Sequence, residues 1–372
     1  MKLAVFSHVI HCQKGDKIYG YGPYVREMNM WFPFFDQVEI VAPLESRDVD
    51  HIDLSYQAKS LSFTKVPAIS LTSFTQIART IFKLPTLLLT IFKSMRGADH
   101  IHLRCPGNMG LLGCIVQILF PKKKKTAKYA GNWDPSADQP FSYRLQKWIL
   151  NNTFLTRNMQ VMAYGKWEGS SSNIQSFFTA TYYESDKTDC EPRKLNSVIK
   201  FVFAGTLSEG KCPLYAVKLV EKLHRHGIKA TLDFYGEGQE RTAIEKYVAD
   251  NGLHHVIHLH GNKPEQQLRQ AYQQSHFLIL PSKSEGWPKV VAESMFWASV
   301  PISTSISCVP FMIGNGSRGM LLNLSEDDDS QQILDLINDP EKYEAMAYEA
   351  MSWSRNYTMD FFELEIKRLI HG

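Results

Sequence analysis

The sequence predicts an α/β protein of two tandem Rossmann-like, doubly wound domains. Three observations predict it. Short apolar runs alternate with helix-like segments, which argues for parallel sheets covered on both faces. The alternation restarts after a polar, proline-bearing stretch, Glu184–Asn196. The second-half strands end in Gly, Pro or Ser, where the chain turns above a sheet. The 372 residues suffice for two domains, each with its own core.

In the first half, strands are expected at Lys2–Ser7, Gln37–Ala42, Ser62–Val66, His100–Leu103, Lys125–Ala130 and Gln160–Ala163. Helices are expected at Pro23–Trp31, Phe74–Met95, Asn108–Leu119, Phe141–Leu150 and Trp167–Ser176. In the second half, "VIKFVFAG", "KATLDFYGEG", "HVIHLHGN", "HFLILPS" and "VPISTS" read as strands, with helices at Pro213–His224, near Arg241–Ala249 and at Glu265–Gln274. The domains are expected to span residues 1–190 and 197–355, followed by a terminal helix over 356–372. In such sheets ligands sit at the carboxyl ends of strands, and the cleft between the domains is the expected site.

Composition narrows the setting. The six cysteines are scattered without a CxxC pair, so neither a disulfide framework nor a zinc cluster is expected, and the cytoplasm is the expected compartment. The amino-terminal apolar run is interrupted by His8, His11 and Lys14, unlike a signal peptide. No run reaches the ~18 apolar residues of a membrane span. Net charge is +3, unevenly spread. From Leu54 to Trp133 twelve bases face one acid, Asp99, giving +11 there and −8 elsewhere. Residues 54–128, with the run Lys122–Lys125, are therefore expected to touch an anionic membrane surface; the competing reading of that run is a solvated loop. Asp327–Asp329 reads as a solvated helix start, and Trp133, Trp148 and Trp167 as packing residues, with Trp133 a candidate for stacking on a sugar. The histidines His254, His255, His258 and His260 lack a third ligand of fixed spacing, so no metal site is expected.

The richest stretch is "SKSEGWPKVVAESM", Ser282–Met295. Gly286 lets the backbone approach a ligand, and Pro288 is a good first helical residue. A helix from Pro288 to about Ser299 would offer its amino terminus to an anion such as a diphosphate. Glu285 lies just before that terminus. Glu293 lies about a turn and a half inside, where the dipole helps little, and its carboxylate suits a vicinal diol such as a ribose.

The segments "FVFAGTLSEGK", "DFYGEG", "HLHGN", "LPSKSEGWPKVVAES" and "SVPISTS", in that order and spacing, resemble the retaining glycosyltransferases of family 4, which have the GT-B fold. The likeness is specific over Phe201–Asn323 and looser over the first half. It implies a retaining transferase moving a sugar from a nucleotide-sugar donor to a glycan or lipid-linked glycan, as in surface polysaccharide synthesis. It implies that Glu285 contacts the donor sugar, Glu293 the ribose and Lys211 the diphosphate. Thr206 stands where the family has an arginine, for which Lys289 or Arg26 would substitute. Gly205, Gly236, Gly238, Gly261 and Asn262 match loops along the nucleotide, and Gly22 matches the first-domain loop that closes over the phosphates. Gly286, Trp287, Pro288, Lys289 and Val290 complete the donor-binding set. The family's acceptor-side histidine is replaced by "YAGNWDP", so Asn132 or Asp134, or else His102 and Arg104, would serve. No cofactor, metal or nucleic-acid partner is expected, and the protein is expected to be a monomer or weak dimer. Two alternatives stay open: a sugar-nucleotide epimerase of the same fold, and a non-catalytic sugar-nucleotide-binding homologue, which Thr206 keeps in view.

Overall fold

The computed structural model describes residues 1–50, 52–68, 74–195 and 198–371. Residues 196–197, where the second expected domain begins, and part of the basic stretch, 69–73, lie outside them. The chain divides into two units, Met1–Phe177 with Glu363–Gly372, and Phe178–Phe362.

The first unit contains β1 (Lys2–Phe6), β2 (His11–Lys14), β3 (Lys17–Tyr21), β4 (Gln37–Pro43), β5 (Asp53–Ser55), β6 (Leu61–Val66), β7 (His100–Cys105), β8 (Lys124–Tyr129), β9 (Met159–Tyr164) and β10 (Ile174–Phe177). Among the described residues, seven form a parallel sheet in the order β10-β9-β8-β7-β1-β4-β6, and β2-β3-β5 form a small antiparallel sheet. Its helices are α1 (Gly22–Trp31), α2 (Phe74–Gly97), α3 (Asn108–Val116) and α4 (Phe141–Leu150). Strands such as Leu3–Phe6 are buried on both faces, which is why they read as unbroken apolar runs.

Two sequence expectations are corrected here. The helix expected at Trp167–Ser176 is absent; Ile174–Phe177 instead pairs in parallel with β9 as an edge strand. The first-domain loop expected at Gly22 is the end of β3 followed directly by α1, where Gly22 N–H donates to Ile52 O at 3.0 Å.

Strands β7 and β8 carry a polar ladder beneath α1 and the turn that follows it. His100 Nε2 and His102 Nδ1 each lie 2.9 Å from Thr126 Oγ1, and the His102 ring packs on Trp31. One step further, Arg104 and Lys128, register partners, both donate to Glu27 of α1 at 2.8 Å. Burial alone would raise the Glu27 pKa, but Arg104 and then Lys128 reverse this and hold it at about 2. Burial pushes His102 down to about 3, so it stays neutral at physiological pH.

The lysine run is also built into the fold. Lys125 Nζ, buried, donates to Gln117 O, Gln117 Oε1 and Phe120 O, capping the chain end after α3. Lys123 donates to Arg96 O and Ala98 O. These lysines, with Lys128 and Arg104, are therefore satisfied inside the domain rather than offered as a free basic surface. Lys122 and Lys124 remain exposed.

The second unit contains β11 (Ile199–Ala204), β12 (Ala230–Tyr235), β13 (Ile257–Gly261), β14 (Phe277–Leu280), β15 (Val300–Thr304) and β16 (Met320–Leu322). They form a parallel sheet in the order β13-β12-β11-β14-β15-β16. Its helices are α5 (Pro213–Arg225), α6 (Arg241–Asp250), α7 (Glu265–Gln274), α8 (Lys289–Phe296), α9 (Val309–Met312), α10 (Glu326–Ile337) and α11 (Pro340–Ser354). The last helix, α12 (Met359–His371), begins in this unit, and its residues from Glu363 belong to the first. Phe201, Phe203, Leu232, Phe234, Phe277 and Ile279 fill one face of the sheet under α5 and α6. Asp329 is not the solvated residue expected. It is 1 % exposed and accepts from Asn323 N–H, Leu324 N–H and Tyr215 O–H, pinning the start of α10.

Candidate active site

The order of the second sheet creates a switch point. From β11 the chain winds outward through β12 and β13, then returns to place β14 on the other side of β11. The loops after β11 and β14 therefore leave the sheet side by side and diverge, which is where open α/β sheets make ligand sites.

The loop after β11 is held by backbone contacts to the loop after β12. Gly205 N–H donates to Tyr235 O, Leu207 N–H to Glu237 O and Glu240 N–H to Leu207 O, each at 2.9 Å. This approach leaves no room for side chains. A Cβ on Gly236 would lie 1.9 Å from Gly205 O, and one on Gly238 2.2 Å from Leu207 O. Gly236 N–H continues the series to Gly261 O at the end of β13. The three glycine-bearing strand ends are thus one assembly, with Thr206 and Asn262 exposed on it.

The loop after β14 joins it. Lys283 N–H donates to Gly210 O at 2.8 Å, and Lys211 Nζ forms an ion pair with Glu285 Oε1. The Glu285 side chain is 9 % exposed and that of Lys211 26 %. Gly286 O accepts from Ser307 Oγ (3.2 Å) and Cys308 Sγ (3.0 Å). Trp287 is 7 % exposed, its ring 6.2 Å from Trp353, 5.9 Å from Tyr357 and 6.5 Å from Phe178. Its indole therefore anchors the loop.

The helix that follows starts one residue later than expected. Pro288, at φ −72° and ψ 94°, is the residue before the first turn, and α8 runs from Lys289 to Phe296. The first N–H groups of a helix lack intrahelical acceptors, so the backbone around Lys289 and Val290 is suited to bind an anion.

Glu293 sits in the second turn of α8. Its Oε1 accepts from Thr181 Oγ1 at 2.6 Å and its Oε2 from Tyr272 O–H at 3.2 Å. Both partners are uncharged, and burial raises the carboxyl pKa despite the opposing influence of Thr181, Lys289 and Tyr272. The folded protein thus binds this proton more tightly than the unfolded chain does, so the native state gains stability as pH falls towards the carboxylate range. Glu293→Gln is accordingly expected to raise the melting temperature at pH 7, with the difference from wild type shrinking on acidification. A melting temperature lowered equally at pH 7 and pH 5 would contradict it.

Of the expected site residues, the structure brings together Gly205, Thr206, Lys211, Gly236, Gly238, Gly261, Asn262, Glu285, Gly286, Pro288, Lys289, Val290 and Glu293 on the carboxyl ends of β11–β14 and on α8. In the first unit, His102 is fully buried in the polar ladder, which removes it as a catalytic candidate. Arg104 is committed to Glu27. Asn132 Oδ1 accepts from Asp134 N–H and Asp134 Oδ1 from Ser136 N–H and O–H, so these acceptors shape the turn before α4. Thr181 and Tyr272, which hold Glu293, and Ser307 and Cys308, which hold the loop at Gly286, have no signal in the sequence. They lie up to 112 residues from their partners and carry no local pattern.

Residues 187–353 match the family described as Glycosyl transferases group 1. An uncharacterized glycosyltransferase of Methanocaldococcus jannaschii, MJ1178, is 26% identical over 135 residues, 36% of this chain and 38% of that protein. The chain thus spans less than half the length of this curated relative. Among solved structures, a sucrose-phosphate synthase from Thermosynechococcus elongatus superposes with a TM-score of 0.66 at 13% identity, covering 100% of this chain and 98% of that one. Anabaena HepE in complex with UDP and glucose gives 0.67 at 12% identity, covering 100% and 99%. These likenesses establish the fold: two Rossmann-like domains of the GT-B class.

Proposed function

We propose that the protein is a glycosyltransferase that moves a sugar from a nucleotide-sugar donor to a glycan or lipid-linked glycan, with retention at the anomeric carbon. The observation that carries this reading is the Lys211–Glu285 pair across the switch point, immediately before the amino end of α8. The group 1 match over the same residues and the UDP held by HepE support it.

As the glycosidic bond to the donor breaks, negative charge develops on the diphosphate and positive charge on the sugar. Lys211 and the N–H groups at Lys289 and Val290 stabilise the leaving diphosphate. Glu285 contacts the sugar, and Glu293, held by Thr181 and Tyr272, accepts hydrogen bonds from the ribose hydroxyls. Lys289 supplies the positive charge that Thr206 lacks. Attack comes from the leaving-group face, and a phosphate oxygen takes the acceptor proton, so no protein base is required. The place of the reaction is the cytoplasmic side of the membrane, in surface polysaccharide synthesis.

Incubation with labelled UDP-, GDP- and ADP-sugars tests the reading. Slow release of the free sugar in its original anomeric configuration is the expected result, read by proton NMR. An isomerised sugar nucleotide would indicate an epimerase, inversion would exclude the retaining mechanism, and no turnover of any donor would indicate a binding protein.

A further inference from the structure

The four most exposed large apolar side chains among the described residues are Phe141 (71 %), Phe154 (70 %), Leu119 (65 %) and Trp148 (60 %). All four belong to one unit and lie on successive elements: the 3-10 turn after α3, helix α4 and the turn after it. Hydrogen bonds tie these pieces together. Gln117 Nε2 donates to Leu155 O at 3.1 Å, and Asn158 Nδ2 to Pro121 O at 2.9 Å. Phe141 and Trp148 are separated by two helical turns, so they share a face of α4. Trp148, expected to be a packing residue, is instead open to solvent beside its buried neighbours Ile149 and Leu150.

The chain around Leu119 and Phe154 is basic, while Glu168 lines the same cavity as Trp148. No Asp or Glu occurs between Asp99 and Asp134, or between Asp138 and Glu168. Exposed bases are interleaved with the apolar groups: Lys122, Lys124, Arg144 and Arg157, whose guanidinium lies 4.6 Å over the Phe154 ring. A soluble surface rarely gathers large apolar groups this way without a partner. Symmetric pairing with a second copy would set like charges against each other. Aromatic and leucine side chains among lysines and arginines match the headgroup zone of an anionic bilayer, where the rings enter the interface and the cations meet lipid phosphates.

We propose that this face of the first unit, centred on Leu119, Trp148 and Phe154, docks the protein on an anionic lipid bilayer. The attachment is peripheral, since no helix of the described residues is long and apolar enough to cross a membrane. It shares Lys122 and Lys124 with the surface expected from the lysine run, whose Lys123 and Lys125 the fold holds internally. It also stands apart from the sugar-transfer reading, because its test does not read turnover.

The test is co-sedimentation of the full chain with phosphatidylcholine vesicles, with and without phosphatidylglycerol, at low and high salt. Wild type is expected to bind the phosphatidylglycerol vesicles at low salt and to be released by high salt. The variant Trp148→Ser/Phe154→Ser is expected to lose at least about tenfold in partitioning while keeping its melting temperature, since both side chains are already exposed. The variant Lys122→Gln/Arg157→Gln, which leaves the apolar groups in place, is expected to lose the salt-dependent part. Wild type remaining in the supernatant, or both variants partitioning like wild type, would overturn the proposal. A concentration-dependent dimer that the serine variant dissolves, without vesicle binding, would assign the face to a second copy and overturn it equally.

Discussion

Replacing Lys211 with alanine is expected to lower turnover about 10²–10³-fold, the usual cost of removing a positioned donor from a developing anion. The effect is large because two consequences add. The leaving diphosphate loses its nearest cation, and Glu285, whose side chain is only 9 % exposed, loses the charge that balances it. An unbalanced carboxylate beside a departing diphosphate repels it. The same pair yields a prediction of opposite sign for binding. Glu285→Gln removes that repulsion and frees Lys211 for phosphate. It is expected to bind the free nucleoside diphosphate more tightly than wild type while turning over the donor more slowly. Equilibrium titration and initial rates on the two variants separate these effects. Weaker nucleotide binding by Glu285→Gln would mean that Lys211 serves the glutamate rather than the ligand.

The second large effect is on stability. Glu27→Ala leaves Arg104 and Lys128 buried without their shared counter-charge. Breaking a buried ion pair from one side costs about 3–5 kcal/mol, or about 6–20 °C in the melting temperature of a domain this size. The pH dependence follows from the direction of the shift. Glu27 has its folded pKa depressed from 4.5 to about 2, so its contribution is fully present above the unfolded value and is lost as pH falls through about 2. Thermal melts are expected to show a large gap between wild type and variant at pH 7 that closes in strong acid. Equal melting temperatures at pH 7 would show that the triad contributes nothing.

The two effects differ in how far the sequence disclosed them. Most strands of both parallel sheets were legible, because a buried parallel strand is a short apolar run, and "FVFAG" or "FLIL" cannot be much else; Met320–Leu322, only three residues long, was not. The glycine-bearing loops were legible as well, and the structure adds a reason for Gly236 and Gly238: two backbones meet there without room for a Cβ. The Glu27–Arg104–Lys128 triad was not legible. Its members are separated by 77 and 101 residues, and a polar stripe such as "HIHLR" in a central strand looks exposed until its partners on α1 are known. The strand Ile174–Phe177 was missed because an edge strand of four residues, half exposed, carries too little pattern to compete with a helical reading. The lysine run was only half legible: its charges all look free in sequence, and Lys122 and Lys124 are exposed, yet Lys125 Nζ caps carbonyls just after α3.

The most direct test of the central claim is a crystal structure of the protein soaked with its nucleotide-sugar donor. The diphosphate is expected within hydrogen-bond distance of the Lys289 and Val290 N–H groups and of Lys211, with the ribose hydroxyls on Glu293. A donor bound with its phosphates away from the start of α8, while Lys211 stays locked to Glu285, would contradict it.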